Sequence, residues 1–303
     1  MPYLNNYVSP PSLPIDSYHS TTPLSTYDQN FIFPVPSCLS SSSRNGVKLF
    51  PIVPSIHLEP LFQLFSPFPD SFKWLPYGPF PTYPEFLTFW ESVVRRDPGT
   101  LLFVVYDLSL RFDNEDGEEE DFEKEGGAGM RKERIAGIVG VLKSNEQNRS
   151  SEIGHLHIPP PFQRTHVLTH SISALLHWLL DPPSPSTRES LGLRRVQWFA
   201  NALNVPSINA ALRMGFTKES DCMRWERITK PSKEGLPLPD FLESDPERKE
   251  EEKRRGGGRH SAVLGLDWEA WEEGGREKVK GLLEREVKPR DVKEVNFGRE
   301  VRN

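Results

Sequence analysis

Three short stretches hold residue types and spacings that could do chemistry. In "SEIGHLHIPP" (151–160) a strand-like alternation carries one carboxylate and two histidines. Regular alternation sets Glu152, Gly154, Leu156 and Ile158 on one side, with Ile153, His155 and His157 on the other. In "NALNVPSINAALRMGF" (201–216) an apolar run ends at asparagine and a helix opens on Asn204, Pro206 and Ser207. Those residues suit a loop that receives a ligand. They equally suit an ordinary helix start, with Asn204 as N-cap and proline in the first turn. Between the two, Gln163, Arg164, Thr165, His166, Val167, Leu168 and Thr169 join a strand to a helix. A junction of that kind offers unpaired N–H groups and a positive dipole end to an anion. The histidines also raise a metal reading, since His166 and His170 are four apart. No His-Glu-x-x-His and no third ligand at fixed spacing accompany them, so no metal is expected.

These residues need a scaffold, and the chain patterns supply one. Residues 47–53 read as a strand and 55–66 as a helix burying Ile56, Leu61, Leu64 and Phe65. Phe86, Phe89, Trp90, Val93 and Val94 fall at helical spacing before Asp97-Pro98-Gly99 turns the chain. "TLLFVVYDL" (100–108), 134–144, 151–160, 194–203, 218–228 and 261–268 read as strands. Leu168, Ile172, Leu175, Leu176, Leu179 and Leu180 form one helical stripe. Further helices are expected after Pro206, ending at Gly215, and over 269–286. The order β-α-α-β-β-β-α-β-α-β-β-α predicts a mixed sheet in a single α/β (α+β) domain.

Composition sets the limits. A chain of 303 residues with 36% hydrophobic and 26% charged side chains can build one sizeable core. Residues 1–45, rich in Ser and Pro, predict a disordered leader, with the domain at 46–290 and a tail at 291–303. The acidic 112–134 is expected to be a solvated hairpin insertion, and 231–258 a charged loop. A net charge of -6 argues against a nucleic-acid binder. Two cysteines, Cys38 and Cys222, exclude a disulfide framework and a zinc ribbon. No stretch reaches the roughly 20 apolar residues of a membrane span. The N-terminus lacks a charged region followed by an apolar one, so a cytoplasmic protein without a membrane partner is expected. Oligomeric state is not legible.

One stretch resembles a known family. Arg195, Val196, Trp198, Asn204, Ser207, Ala210, Gly215 and Phe216 stand at the positions of a late signature of the GNAT superfamily of acyl-CoA-dependent N-acetyltransferases. The pattern is that of the ribosomal-protein N-terminal (RimJ/RimL-type) branch, which "FKWLPYGPF" and "LGLDWEAWEE" also resemble. The resemblance spans about 47–286 outside the insertions. It implies a mostly antiparallel sheet flanked by helices, with a splayed central strand pair receiving pantetheine. It also implies acetyl-CoA as co-substrate and a primary amine as acceptor, a protein N-terminus or a small molecule.

By the same resemblance, Gln163, Arg164, Thr165, His166, Val167, Leu168 and Thr169 border the CoA pyrophosphate, with charge from Arg164 and His166. His157 and Ile158 offer backbone groups to pantetheine and thioester, and the Asn204 amide bonds pantetheine. Ser207 protonates the thiolate, and Glu152 is the general base, directly or through water. Arg213 reads as a helix-surface or packing residue, and Trp198 as core. The family's loop has the form [QR]-x-x-G-x-[GA], and this chain has His166 and Leu168 where its glycines stand. An alternative is therefore a catalytically weak GNAT fold serving as a CoA-binding or scaffold module.

Overall fold

The computed structural model describes residues 6, 8, 14–41, 45–113, 120–185, 187, 189–230, 233 and 235–298. Among these the chain forms β1 (Leu39–Ser40), β2 (Val47–Pro51), α1 (Pro54–Phe65), α2 (Tyr83–Phe89), β3 (Leu101–Asp107) and β4 (Leu110–Arg111). Next come β5 (Ile135–Asn145), β6 (Ser150–His157), α3 (Val167–Leu180), β7 (Arg195–Asn201) and α4 (Val205–Arg213). The rest are β8 (Thr217–Ile228), α5 (Pro246–Arg255), β9 (Gly258–Asp267), α6 (Trp268–Ala270), α7 (Arg276–Leu283) and β10 (Arg290–Asp291). Eight strands make one sheet in the order β1-β2-β3-β5-β6-β7-β9-β8. Every neighbouring pair whose register is described is antiparallel except β6 with β7. Among the described residues no helix is long and apolar enough to cross a membrane.

The sheet's two faces are covered by different helices. Leu101–Tyr106 are all buried, as expected of a central strand covered on both faces. On one face α3 packs its apolar stripe, with Trp178 meeting Phe103 edge to face at 5.6 Å. Trp198 of β7 meets Phe216, just past α4, at 5.6 Å on that same face. On the other face the C-terminal end of α1 lies over β6, where Phe65 stacks on His157 at 3.9 Å. The site residues of β6 and β7 thus lie between two helical layers.

Three segments depart from the sequence expectation. Residues 14–41, expected as part of a disordered leader, are docked on the domain. His19 donates its backbone N–H to the buried Glu91 (2.9 Å), and Phe31 lies 6.3 Å from Trp178. Aromatic residues scattered among serines and prolines leave no periodic signal, yet each buries a large apolar area. Residues 1–5, 7, 9–13 and 42–44 of that leader lie outside the described residues. In the acidic insertion, residues 114–119 lie outside the described residues, while 120–134 pack over β2, β3 and α1. Arg134 donates to both oxygens of Glu120 (2.8 and 2.7 Å), and His57 donates from Nε2 to Gly126 O (2.8 Å). The carboxylates there are therefore not all solvated. In 231–258, α5 forms where a loop was expected. Its cap is Asp245 Oδ1, accepting from Arg248 N (3.1 Å), and pairs such as Arg255–Glu251 (2.5 Å) line its exposed surface. A helix polar all round has no apolar stripe to betray it.

Residues 290–298 close on the domain, while 299–303 of the expected tail lie outside the described residues. β10 pairs in parallel with β4, and Arg290 donates to Asp107 Oδ2 at 2.7 Å. Asp107 is fully buried and also accepts from Ser109 N (2.8 Å), with His166 Nε2 3.3 Å away. Burial alone would raise its carboxyl, but His166, Ser109 and Arg290 outweigh burial and hold it below the usual range. This carboxylate ties the C-terminal segment to the entrance of α3. Replacing it with alanine leaves the half-buried Arg290 guanidinium and the His166 ring without the acceptor they share. Asp107→Ala is expected to lower unfolding free energy by about 3 kcal/mol in urea titrations. The folded carboxyl is depressed, so its stabilisation is complete above the unfolded value of about 3.9 and fades as pH falls through the folded one. The variant should lack that acid-side loss.

Candidate active site

The parallel pair β6 and β7 runs in register from Ser150–Arg195 to Ile153–Trp198 and then stops. Both strands continue. β6 stays on β5 as far as His157, opposite Ile138, and β7 stays on β9 as far as Asn201, opposite Ser261. Each is held by its outer neighbour while parting from the other, so a V opens in mid-sheet between Gly154–His157 and Phe199–Asn201.

A bulge marks the mouth of the V. On β5 the step from Gly140 to Ile138 spans one intervening residue, whereas the matching step from Gly154 to His157 on β6 spans two. His155 sits there with φ of 52°, a conformation uncommon for non-glycine residues. An extra residue in one strand is left out of the ladder, so backbone groups at His155–Leu156 are freed where the strands part. The bulge also corrects the expected alternation. His157 shares a face with Gly154 and Glu152, because the residues opposite, Ile138 and Gly140, share one. Its ring is not a ligand contact. It stacks on Phe65, binds Ser71 Oγ (2.7 Å) and is pushed down to about 3 by burial, with Lys233 adding to the effect. His155 bonds Tyr77 Oη through Nδ1 (3.1 Å). Gly137, with φ of 144°, makes room for this path, since a Cβ there would lie 2.3 Å from His157 O.

On the α3 side of the V stand the residues of α4. Asn204 Oδ1 accepts from Ser207 N (3.3 Å), so the asparagine is the helix cap. Its Nδ2 has no partner among the described residues and remains a donor. Trp198 Nε1 donates to Ser207 Oγ at 3.0 Å. That bond occupies a lone pair and leaves the hydroxyl proton free to be given elsewhere. Trp198 is core, as its apolar ring suggested, and it also orients Ser207, a role that only the pairing reveals.

On the opposite face stands Glu152, buried beside Leu142 and Gln197. Lys143 Nζ is 2.8 Å from its Oε2 and 4.7 Å over the Phe199 ring. Burial raises the Glu152 carboxyl above its ordinary range, against the opposing pull of Lys143. A carboxylate lifted in this way is a better proton acceptor than one free in water.

At the far end of the V lies the entrance to α3. Gln163 Nε2 donates to Ile158 O (2.8 Å), spending that carbonyl, while the Ile158 amide has no partner among the described residues. Arg164 is exposed, with φ of 58°. Thr165 Oγ1 donates to Phe162 O (2.6 Å) and accepts from Val167 N (3.3 Å). The next first-turn amides, Leu168 and Thr169, have no carbonyl before them, and among the described residues they have no partner. Here too a sequence expectation is corrected. His166 turns inward to Asp107, where it is satisfied by a buried carboxylate, and brings no charge to the outer loop. Besides the exposed Arg164, the charged side chain at this loop is Arg213 of α4, whose Nη2 lies 3.5 Å from Thr169 Oγ1. A lone arginine in the last turn of a surface helix gives no sequence signal of that approach. Among the described residues no group of three or more His, Cys, Asp or Glu side chains could hold a metal ion.

A strand order with one parallel pair that opens beside a helix start can be compared with known structures. A protein from Chromobacterium violaceum, described as a probable acetyltransferase of the GNAT family, matches over 87% of this chain and 100% of its own, with 23% identity and a TM-score of 0.56. A GCN5-related N-acetyltransferase from Brucella melitensis matches over 88% and 96%, with 21% identity and a TM-score of 0.58. The fold is the GNAT fold. A third match, an acetyltransferase structure from T. thermophilus, covers 82% of the chain and 98% of its own at 18% identity and a TM-score of 0.54. No protein-family model matches the sequence, and no curated protein matches it.

The GNAT fold leaves the bulge dependent on Gly137. Gly137→Ala forces an added Cβ against a main-chain carbonyl at a φ that disfavours side chains. A loss of about 2 kcal/mol is expected in urea unfolding, together with displaced amide resonances for His155–Ile158 by NMR.

Proposed function

We propose that the chain transfers an acetyl group from acetyl-CoA to a primary amine, a protein N-terminus or a small molecule, by direct attack within a ternary complex. The observation that carries this reading is the V between β6 and β7, with unpaired helix amides at one end and a buried carboxylate beside its opening. The unpaired amides of Leu168 and Thr169, with Arg164 and Arg213, suit the CoA pyrophosphate. Two arginines there compensate for the absence of glycines at His166 and Leu168. The strands of the V take pantetheine, with the Ile158 amide and Asn204 Nδ2 as donors.

Positioning does most of the work, because a thioester is already activated. Backbone groups freed by the bulge face the thioester carbonyl, where negative charge develops. As the amine nitrogen bonds the carbonyl carbon and the C–S bond breaks, Glu152 takes the amine proton, directly or through water. Ser207, held by Trp198, gives its proton to the departing thiolate. An α-amino group near pKa 8 is partly neutral at pH 7, so a weak base suffices. The RimJ/RimL-type branch of the fold is favoured by the Arg195–Phe216 signature. The alternative, a GNAT fold that binds CoA weakly and acts as a scaffold, is favoured by one observation: His166 stands at a family glycine position and points away from the loop.

Isothermal titration of acetyl-CoA separates the two. Micromolar binding, weakened several-fold in Asn204→Ala and Arg164→Ala, supports the transferase reading; no binding to folded wild-type protein supports the scaffold. Arg213→Ala should weaken binding as much as Arg164→Ala, more at low salt than at high. In the transferase, Glu152 works ionised. Its raised pKa therefore places the acid limb of kcat/KM above the usual carboxylate value of about 4.3, with activity growing as pH rises through it. Glu152→Gln should remove the limb and lower kcat/KM by about 100-fold.

A further inference from the structure

The face of the V that carries Glu152 also carries a cluster of charges from three other strands. Phe199, Ser261 and Arg259 share that face, since Phe199 pairs with Val263 and the alternation along β9 continues through Ser261 to Arg259. Above them stand Glu226 and Arg227 of β8. One carboxylate, Glu226, serves the whole group. Its Oε2 accepts from Arg259 Nη1 (2.9 Å) and Ser261 Oγ (3.0 Å), and its Oε1 from Arg227 Nε (2.9 Å). The other carboxylate, Glu152, already has Lys143 at 2.8 Å. Three cations thus face two anions; beyond them Lys233, bonded to Phe72 O (2.8 Å), adds a fourth cation and Asp97, which acts on His155, a third anion, so one positive charge is left over.

The surplus is located on identifiable donors. The terminal amino groups of the half-buried Arg227 have no acceptor among the described residues, and the buried Nε of Arg259 has none either. Buried polar groups are normally satisfied, so the Arg259 Nε points to an acceptor supplied from outside, and the partly exposed amino groups of Arg227 are open to the same visitor. Arg227 pairs across the strands with Arg259, which reaches Phe199 on one side of the V, and it acts electrostatically on both Glu152 and His155. Arg259 lies beneath it, with Nη2 3.5 Å from Phe199 O.

We propose that the amine acceptor carries an anionic group, a carboxylate or phosphate, which the Arg227 guanidinium receives while Glu152 receives the amine. The inference rests on the acetyl-transfer reading and narrows its substrate class. A planar guanidinium with two free amino groups matches a carboxylate or phosphate in bidentate geometry. Polyamines are disfavoured, because a second ammonium would enter a corner whose uncompensated charge is already positive. The net charge of the chain, -6, gives no hint of this local reversal.

Matched acceptors test the proposal. Acetyl transfer is measured for ω-amino acids of three to six carbons against diamines of equal length, with taurine-like sulfonates avoided and the corresponding ω-aminophosphonates added to separate carboxylate from phosphonate preference. The best amino acid or aminophosphonate is expected to exceed its diamine at least tenfold in kcat/KM. Arg227→Gln should remove that preference through KM, with kcat largely kept, and Arg227→Lys should restore part of it. Diamines used as well as or better than their anionic partners overturn the proposal and leave acetyl transfer intact. An unchanged preference in Arg227→Gln also overturns it. If no acceptor is acetylated, saturation-transfer NMR of 5-aminopentanoate and 1,5-diaminopentane on the full chain decides. Selective binding of the amino acid that is lost in Arg227→Gln upholds the anion site and counts against the transferase, whereas no selectivity overturns the site.

Discussion

Everything at the site depends on one constraint: β6 and β7 are held more strongly by their outer neighbours than by each other. β5 keeps β6 and β9 keeps β7 beyond the last shared pair, Ile153–Trp198. Main-chain hydrogen bonds fix both outer flanks, so the inner edges cannot close by small side-chain adjustments. The opening is therefore part of the sheet's register. It exposes backbone polar groups in the middle of a domain, a position where they are ordinarily paired. Such groups are tolerable where a polar ligand completes them.

On the acetyl-transfer reading, the same logic lets the entrance to α3 work without glycines. Close approach of a diphosphate to a bare main chain is one way to hold it. A second way is to place long cationic side chains around a more crowded turn. Arg164 takes the left-handed conformation at the turn itself, and Arg213 reaches across from α4. Guanidinium groups hold phosphate oxygens over a wider range of positions than amides do, and their hold is more sensitive to ionic strength. The inward turn of His166 serves a different purpose, anchoring the loop to Asp107.

Much of this was legible in the sequence, and what was not has physical reasons. The element order, the α3 stripe and the helix opening at Asn204 follow from apolar periodicity and from proline and glycine at helix ends. Glu152 on a strand and Ser207 at a helix start could be read from local pattern; that they flank one opening from opposite faces could not. The bulge at His155 was hidden because alternation is counted from one residue to the next, and a single extra residue inverts every later side chain. α5 was hidden because nothing in it is buried. The docking of residues 14–41 was hidden because it depends on partners far along the chain, such as Glu91 and Trp178. Arg213 read as a helix-surface or packing residue, and only the packing of α4 beside α3 brings it to Thr169.

The strand order also has a temporal side. β9 lies between β7 and β8 although it follows both in the chain. During synthesis β7 emerges with only β6 beside it, and nothing then draws its far end away. The opening can be set only once residues 258–267 have left the ribosome and inserted between two strands already made. The clamp from Arg290 to Asp107 comes later still. At a synthesis rate of about 5–20 residues per second, most of the sheet waits for its decisive strand for several seconds. A nascent chain of this kind has most of its core residues in place before its cleft exists, and the last of them, such as Leu264 and Trp271, arrive with it.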